Sequence, residues 1–302
     1  MKNGIINVLK PPGMTSSNVV SDIRRILGMK KVGHSGTLDP GAAGVLPILF
    51  GNATRLFDCM QNDFKEYIFE ITFGKETDTL DSYGKIISND DKQISRQELD
   101  DSLPYFLGEI YQIPPMYSAI SVDGKKLYSR ARDGEMIDLQ HKKRKIMIYE
   151  MQTLKTISQN RFLLRVLCSK GTYVRVIAKD IANRLGTVAY VSLLIRTRTG
   201  KFELKDSYSI AELNELKGNG LLGEACEKLD CFFNDYTKAV VDSSMAQKLK
   251  NGNPIAKDYF KICQNIKDDV LPIFCNDVFV GLGKLEQDCL KITALLNDEF
   301  VG

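Results

Sequence analysis

Residues 33–44 read Gly33-His34-Ser35-Gly36-Thr37-Leu38-Asp39-Pro40-Gly41-Ala42-Ala43-Gly44. Four glycines, a proline and an aspartate in so short a stretch are loop chemistry. Glycine lets a backbone turn sharply or come close to a ligand, and proline stiffens the chain around it. Asp39 therefore sits on a stiffened loop, between Leu38 and Pro40. A lone loop aspartate is usually a cap or a turn former; a carboxylate held this way also suits catalysis. The segment alone leaves both open.

The flanks of this loop read as strands. Val45 to Phe50 is a buried-strand candidate interrupted by Pro47, and Gly4 to Leu9 is a short strand stopped by Pro11-Pro12-Gly13. Between them, Thr15-Ser16-Ser17 offers N-caps for a helix with Val19, Val20, Ile23, Ile26 and Leu27 on one face, ended by Gly28. Further on, Lys65 to Phe73 alternates, with Tyr67, Phe69, Ile71 and Phe73 sharing a face. Ser95 to Glu98 and Ser209 to Glu212 are capping boxes. Ile146 to Ile157, Arg161 to Ser169 and Val188 to Ile195 read as strands, and 172–185 as a helix closed by Gly186. Residues 121–145 are polar, basic and poor in large aliphatics, which predicts a long exposed loop or arm. Near residue 236 a new unit begins: strand Ala239–Val241, a Ser243-capped helix over 244–250, then strands at 270–275, 277–282 and 288–295. That pattern suggests a small β-barrel-like module.

With 302 residues, 43% hydrophobic and 26% charged, the composition is that of a globular protein of one large domain or a large and a small one. The longest apolar stretch, Gly41 to Gly51, contains Pro47 and falls short of the ~20 residues of a membrane helix. The N-terminus lacks a signal-peptide run, so the expected compartment is the cytoplasm. Seven cysteines without a C-x-x-C pair argue for buried reduced thiols rather than a disulfide framework. Two histidines, His34 and His141, give no credible metal cage. Gly218 to Gly223 matches G-x-G-x-x-G but follows an acidic helix rather than a strand, and no phosphate loop is present.

The net charge of +3 hides a pattern. Segments 1–57, 121–145 and 161–205 carry +5, +4 and +8, while 58–110 and 206–235 carry −8 and −5 and 236–302 carries −1. Gathered on one face, the basic segments would make a footprint for a polyanion; dispersed, they would only neutralise the acidic ones. The run Lys142-Lys143-Arg144-Lys145 is either a phosphate-contacting patch or a solvated arm, and the basic flanks favour the patch.

Several blocks together resemble the TruB family, the bacterial tRNA pseudouridine-55 synthases. They are Lys10-Pro11-Pro12-Gly13-Met14-Thr15-Ser16, Gly33 to Pro40, Lys65-Glu66-Tyr67, Thr77-Asp78-Thr79-Leu80-Asp81, Pro114 to Ala119, Gly171-Thr172-Tyr173-Val174-Arg175 and Leu194 to Gly200. They occur in family order over residues 5 to about 210. Position 43 is Ala where relatives often have Thr.

The resemblance implies an α+β pseudouridine synthase fold: a mixed, largely antiparallel sheet with flanking helices over residues 1–236, with 121–145 an arm that clamps RNA. It further implies a small β-rich PUA-like RNA-binding domain over 237–302, echoed by Gly281-Leu282-Gly283. The implied reaction isomerises uridine to pseudouridine in the T-loop of tRNA. The base leaves its stack, the bond from N1 breaks, the uracil turns, and C5 bonds to C1′. Nothing is added, so no cofactor and no metal are expected; the partner is the tRNA T stem-loop, with no membrane.

Family matching makes Asp39 the catalytic carboxylate, attacking C1′ or helping to remove the 2′ proton, and Arg175 its ion-pair partner. Tyr67 stacks on the uracil and is a candidate for taking the C5 proton. Tyr173 and Leu194 line the uridine pocket, His34 packs against extruded bases, and Lys10 and Pro11 support the pocket. Lys125, Lys126, Arg130, Lys142, Lys143 and Arg144 are the expected backbone contacts. A non-catalytic tRNA-binding folding chaperone is the alternative, and a carboxylate-dependent hydrolase of small molecules a third reading. Retention of Asp39, Tyr67 and Arg175 together disfavours the chaperone, and the basic segments disfavour the hydrolase.

Overall fold

The structure, a computed structural model, describes residues 2–60, 64–118, 120–122, 124–132, 135, 137–233, 236–263 and 270–297. The strands up to the C-terminal unit are β1 (Gly4–Lys10), β2 (Val32–His34), β3 (Ala43–Phe50), β4 (Lys65–Phe73), β5 (Lys75–Thr77), β6 (Ile86–Asn89), β7 (Gly108–Gln112), β8 (Ser121–Val122), β9 (Lys125–Lys126), β10 (Arg144–Ser158), β11 (Arg161–Cys168), β12 (Ala189–Thr199), β13 (Phe202–Glu203) and β14 (Cys226–Glu227). The helices are α1 (Ser16–Leu27), α2 (Phe57–Met60), α3 (Arg96–Ser102), α4 (Leu127–Arg132), α5 (Val174–Arg184), α6 (Ile210–Gly218) and α7 (Ala246–Lys250).

The large sheet runs β14-β1-β3-β12-β4-β11-β10-β7, with β2 beside β3 and β13 beside β12. Its pairings are antiparallel except β12 with β3. This is the mixed, largely antiparallel sheet that the family resemblance implies.

Local chemistry sets the helix ends. Thr15 accepts a hydrogen bond from Asn18 N, and Gly28, in the left-handed region at φ 65°, closes α1 by donating to Arg24 O. Both capping boxes form, Ser95 with Glu98 and Ser209 with Glu212; losing such a cap typically costs ~1 kcal/mol.

The apolar runs of β1 and β3 do not alternate because both faces are covered. Ile6, Val8, Leu46, Ile48 and Phe50 join the core under α1, α5 and α6. Ile5, Val45 and Leu49 point the other way and pack with Phe233, Phe279 and Leu282, so the C-terminal unit docks on the sheet. Pro47 lies inside β3, opposite Asn7. Its carbonyl accepts from Ser35 N, just past the end of β2, so its missing N–H falls where no partner strand needs it.

The C-terminal unit adds β15 (Ala239–Val241), β16 (Ile255–Ala256), β17 (Phe260–Ile262), β18 (Leu271–Cys275), β19 (Val278–Glu286) and β20 (Cys289–Leu295), ordered β16-β20-β19-β18-β15-β17. Asp242, rather than Ser243, supplies the cap before α7, accepting from Ser244 N.

Two further expectations are corrected. Residues 121–145 are not simply an exposed loop: they carry the β8–β9 hairpin and α4, and Leu127 and Leu139 are buried with Met116, Ile120 and Ile137. Arg144 and Lys145 belong to β10. The cysteines are not uniformly buried either. Cys168 and Cys275 are, Cys226 and Cys289 are partly covered, and Cys263 is exposed; the side chains of Cys59 and Cys231 lie outside the described residues. No helix among the described residues is long and apolar enough to cross a membrane.

Candidate active site

A cleft of about 330 Å³ opens beside the loop that joins β2 to β3, lined among others by His34, Asp39, Tyr67, Tyr173, Arg175 and Leu194. These side chains come from β2, the loop, β4, the start of α5 and β12. Sequence-distant candidates are thus brought to one cleft.

The Asp39 loop is fixed from behind by three elements. Ser16, at the start of α1, accepts from Leu38 N at 2.9 Å and donates to Leu38 O at 3.1 Å. Gly13 N donates to Pro40 O at 2.8 Å. Lys10 is fully buried, and its ammonium donates to the carbonyls of Pro11, Pro40 and Ala42 at 3.0, 3.1 and 2.5 Å. Burial lowers the Lys10 pKa to about 8, Asp39 opposing the shift and Arg196 adding to it. Lys10 and Pro11 therefore stand behind the loop and outside the cleft lining. Gly44, at φ 112°, has no room for a side chain: a Cβ there would sit 2.2 Å from Arg196 O.

Arg175 meets Asp39 in the cleft. Its Nε donates to Asp39 Oδ2 at 2.9 Å, and Nη2 lies 2.8 Å from the same oxygen. Nη1 donates to Thr79 O at 2.7 Å and Nη2 to Tyr117 O at 2.9 Å, while Asp81 Oδ2 stands 3.9 Å from Nε. The Arg175 side chain is 3% exposed and that of Asp39 is 35% exposed. The cation is thus withdrawn from solvent while the carboxylate faces the cleft, as an anionic nucleophile or base requires.

Tyr67 is buried on β4, in register with Arg196 on β12. Burial raises its hydroxyl pKa to about 12, the charge and hydrogen bond of Arg196 opposing the shift and Cys168 and Asp39 adding to it. At neutral pH it is a phenol that accepts from a guanidinium. Tyr173 is held at the mouth of α5 by Gln112, whose side chain accepts from Tyr173 N at 3.0 Å and donates to Tyr173 O at 3.3 Å.

The expected backbone contacts divide. Arg144 lies 5.5 Å from the Tyr173 ring centroid, at the cleft rim. Lys142 and Lys143 are exposed, Lys143 5.4 Å from the Tyr111 ring centroid. Lys125 is exposed on the β8–β9 hairpin, and Arg130 pairs with Glu135 at 3.1 Å. Lys126 is placed in β9, its side chain outside the described residues.

Sequence reasoning passes over Arg196. It is 1% exposed, donates from Nε to Val45 O at 2.8 Å and from Nη2 to Gly36 O at 3.1 Å, and so ties the loop, β3 and the Tyr67 hydroxyl together. Its sequence signal is its place inside the Leu194 to Gly200 block that carries the family resemblance. Lys65 and Lys170 also line the cleft and add cations to it.

The family model for TruB family pseudouridylate synthase (N terminal domain) matches residues 24–174. The chain is 41% identical over 291 residues to tRNA pseudouridine synthase B of Caldanaerobacter subterraneus subsp. tengcongensis, covering 96% of this chain and 97% of that one. It is 40% identical over 301 residues to tRNA pseudouridine synthase B of Clostridioides difficile, covering 99% and 100%. Among solved structures it matches a chain of a Cbf5–Nop10–Gar1 complex with TM-score 0.77 at 24% identity, over 99% of this chain and 87% of that one. It also matches a chain of an H/ACA RNP bound to a substrate RNA containing 2′-deoxyuridine, with TM-score 0.75 at 23% identity, over 98% and 86%. These last two likenesses concern the fold.

Proposed function

The chain belongs to the TruB family of pseudouridylate synthases, and we propose that it isomerises uridine to pseudouridine in the T-loop of tRNA, with Asp39 as the essential carboxylate. The reaction balances without a co-reactant. The N1–C1′ bond breaks, the uracil turns, the C5–C1′ bond forms, C5 loses a proton and N1 gains one.

The geometry of the cleft supports these roles. A carboxylate that attacks C1′ and one that removes the 2′ proton share two needs: it must be ionised, and it must be open to the ribose. Arg175 places an opposite charge against Asp39 Oδ2, and the carboxylate remains open to the cleft. Tyr67 and Leu194 border the space for the flipped base, and Tyr173 closes its side; apolar walls keep water from the detached uracil. His34, at the end of β2, suits stacking on a neighbouring extruded base better than proton transfer. Arg144, Lys142, Lys143, Lys125, Lys126 and Arg130 serve the phosphates of the T stem, and 237–302 extends the RNA-binding surface as a PUA-like domain.

The observation that carries this reading is the Arg175–Asp39 pair standing in one cleft with Tyr67 and Leu194. The test is incubation of the purified protein with an unmodified tRNA and with an isolated T stem-loop. Pseudouridine is then mapped by chemical adduct and primer extension. A single modified position in the T-loop is expected; absence of pseudouridine, or its formation elsewhere only, rejects the proposal.

A further inference from the structure

Tyr83 is 63% exposed, yet it stands against the Asp39 loop. A Cβ built on Gly41 would fall 2.3 Å from its Cε2 and 2.7 Å from its Cδ2, so one part of the ring edge rests where residue 41 has no side chain. The same ring borders a narrow crevice with Asp39, Gly41, Asp81, Arg175 and Leu194. This crevice and the larger cleft share Asp39, Arg175 and Leu194. Tyr83 is thus continuous with the substrate cleft while leaving most of its aromatic surface to solvent.

The loop that presents it is firmly held. Tyr83 N donates to Asp81 Oδ1 at 3.0 Å, and Thr79 Oγ1 donates to the same oxygen at 2.6 Å. Val191 N donates to Leu80 O at 3.0 Å, which ties the loop to β12. Gly84 fits the turn because a Cβ there would lie 2.4 Å from Asp78 Oδ1. An exposed aromatic on a rigid support, at the edge of a cleft that takes a polynucleotide, is the arrangement of a stacking platform. Its immediate neighbours include the carboxylates of Asp78 and Asp81. They repel a phosphate but not the uncharged face of a base.

We propose, building on the reading of the chain as an RNA-modifying enzyme, that Tyr83 is a stacking contact for a nucleobase of the substrate RNA, at the crevice that adjoins the cleft through Asp39, Arg175 and Leu194. Stacking of a base on an aromatic side chain contributes roughly 1–3 kcal/mol, so its loss weakens RNA binding by roughly 5- to 150-fold.

Affinity for an unmodified T stem-loop is measured in the Asp39→Asn background, where no product forms, and single-turnover rates in the Asp39 protein. Tyr83→Ala is expected to weaken affinity about tenfold and to raise the enzyme concentration for half-maximal rate, with the rate at saturation much less affected. Tyr83→Phe, which keeps the ring, restores the affinity. The salt dependence of binding keeps its slope, because no phosphate contact is removed. Three results overturn the proposal: unchanged affinity with a reduced saturating rate, which makes Tyr83 a prop for Gly41; equal loss in the Ala and Phe variants, which assigns the effect to the hydroxyl; and no change in either quantity. If the unsubstituted protein itself neither binds nor converts the stem-loop, the functional reading fails first, and that outcome is separable from the others.

Discussion

Two nitrogens of Arg175, Nε and Nη2, converge on a single oxygen of Asp39, Oδ2, at 2.9 and 2.8 Å, although the residues lie 136 apart in the chain. The guanidinium is positioned independently of the carboxylate by the carbonyls of Thr79 and Tyr117. Asp39 therefore docks onto a cation that is already in place. Its charge partner stands in place before substrate arrives, and folding fixes the direction in which the carboxylate faces.

Asp39→Asn should abolish turnover while binding of the T stem-loop stays within roughly tenfold. The amide keeps the shape of the side chain but is neither an anionic nucleophile nor a base. Pseudouridine formation at the normal rate by the purified variant, free of wild-type enzyme, would sink the assignment of the essential carboxylate.

Much of this site is legible in the sequence because its parts lie in short contiguous blocks. Asp39 and Tyr67 are picked out by the family blocks that hold them; the glycine-rich loop by itself leaves Asp39 open between turn former and catalytic group, and the alternating strand marks Tyr67 only as one residue of a shared face. What the sequence hides depends on pairings between blocks. Arg196 lies inside the Leu194 to Gly200 block, but only the β4–β12 register sets it opposite Tyr67. The docking face of Ile5, Val45 and Leu49 is hidden for another reason. Strands buried on both faces carry no alternation to separate one side from the other. In and just before the 121–145 segment, Ile120, Leu127, Ile137 and Leu139 follow neither strand nor helix period, so their shared small core emerges only in space.

Arg196→Lys should slow single-turnover chemistry by roughly 100-fold with a much smaller effect on RNA binding. A lysine carries the charge but has no planar fork, so it cannot serve Val45 O, Gly36 O and the Tyr67 hydroxyl at once. Removing one group that orients a site typically costs 10²- to 10³-fold. Melting temperature and stem-loop affinity are the controls. A lysine variant with wild-type rates shows that charge alone suffices at position 196.

Tyr67→Phe separates the ring from its hydroxyl. The ring remains against the uracil, so binding should change little, whereas the removal of the C5 proton loses its candidate acceptor. RNA carrying 5-fluorouridine at the target has no proton at C5. Its glycosidic cleavage and C5–C1′ bond formation should survive in the Phe variant, while turnover of uridine falls by about 10²- to 10⁴-fold, the usual range for a lost acid–base group. Equal loss on both RNAs moves the role of the hydroxyl to the earlier steps, through the Asp39 loop that Arg196 binds.

Lys10 makes the reaction sensitive to alkaline pH through the loop rather than through the chemistry. Its ammonium has three donors for three carbonyls, those of Pro11, Pro40 and Ala42. Burial brings its pKa down to about 8, so above that pH the amine keeps two donors and turns a lone pair toward a carbonyl. One tie to the Asp39 loop is lost, together with a positive charge that acts on Asp39. The single-turnover rate should therefore decline as pH rises through about 8. Unfolding is not the cause. Between about 8 and the ordinary lysine value of 10.5, the unfolded chain binds a proton at this position that the folded chain does not. The contribution of Lys10 to stability thus rises with pH across that window. Lys10→Met should be slower at every pH and lack the decline. Titration of the RNA is common to both proteins and cancels in their ratio. The measurement is the ratio of wild-type to Lys10→Met rates from about pH 6.5 to 9.5, a span that brackets the shifted group, with melting temperatures recorded alongside. A flat ratio across that range shows that Lys10 does not titrate where the loop geometry places it.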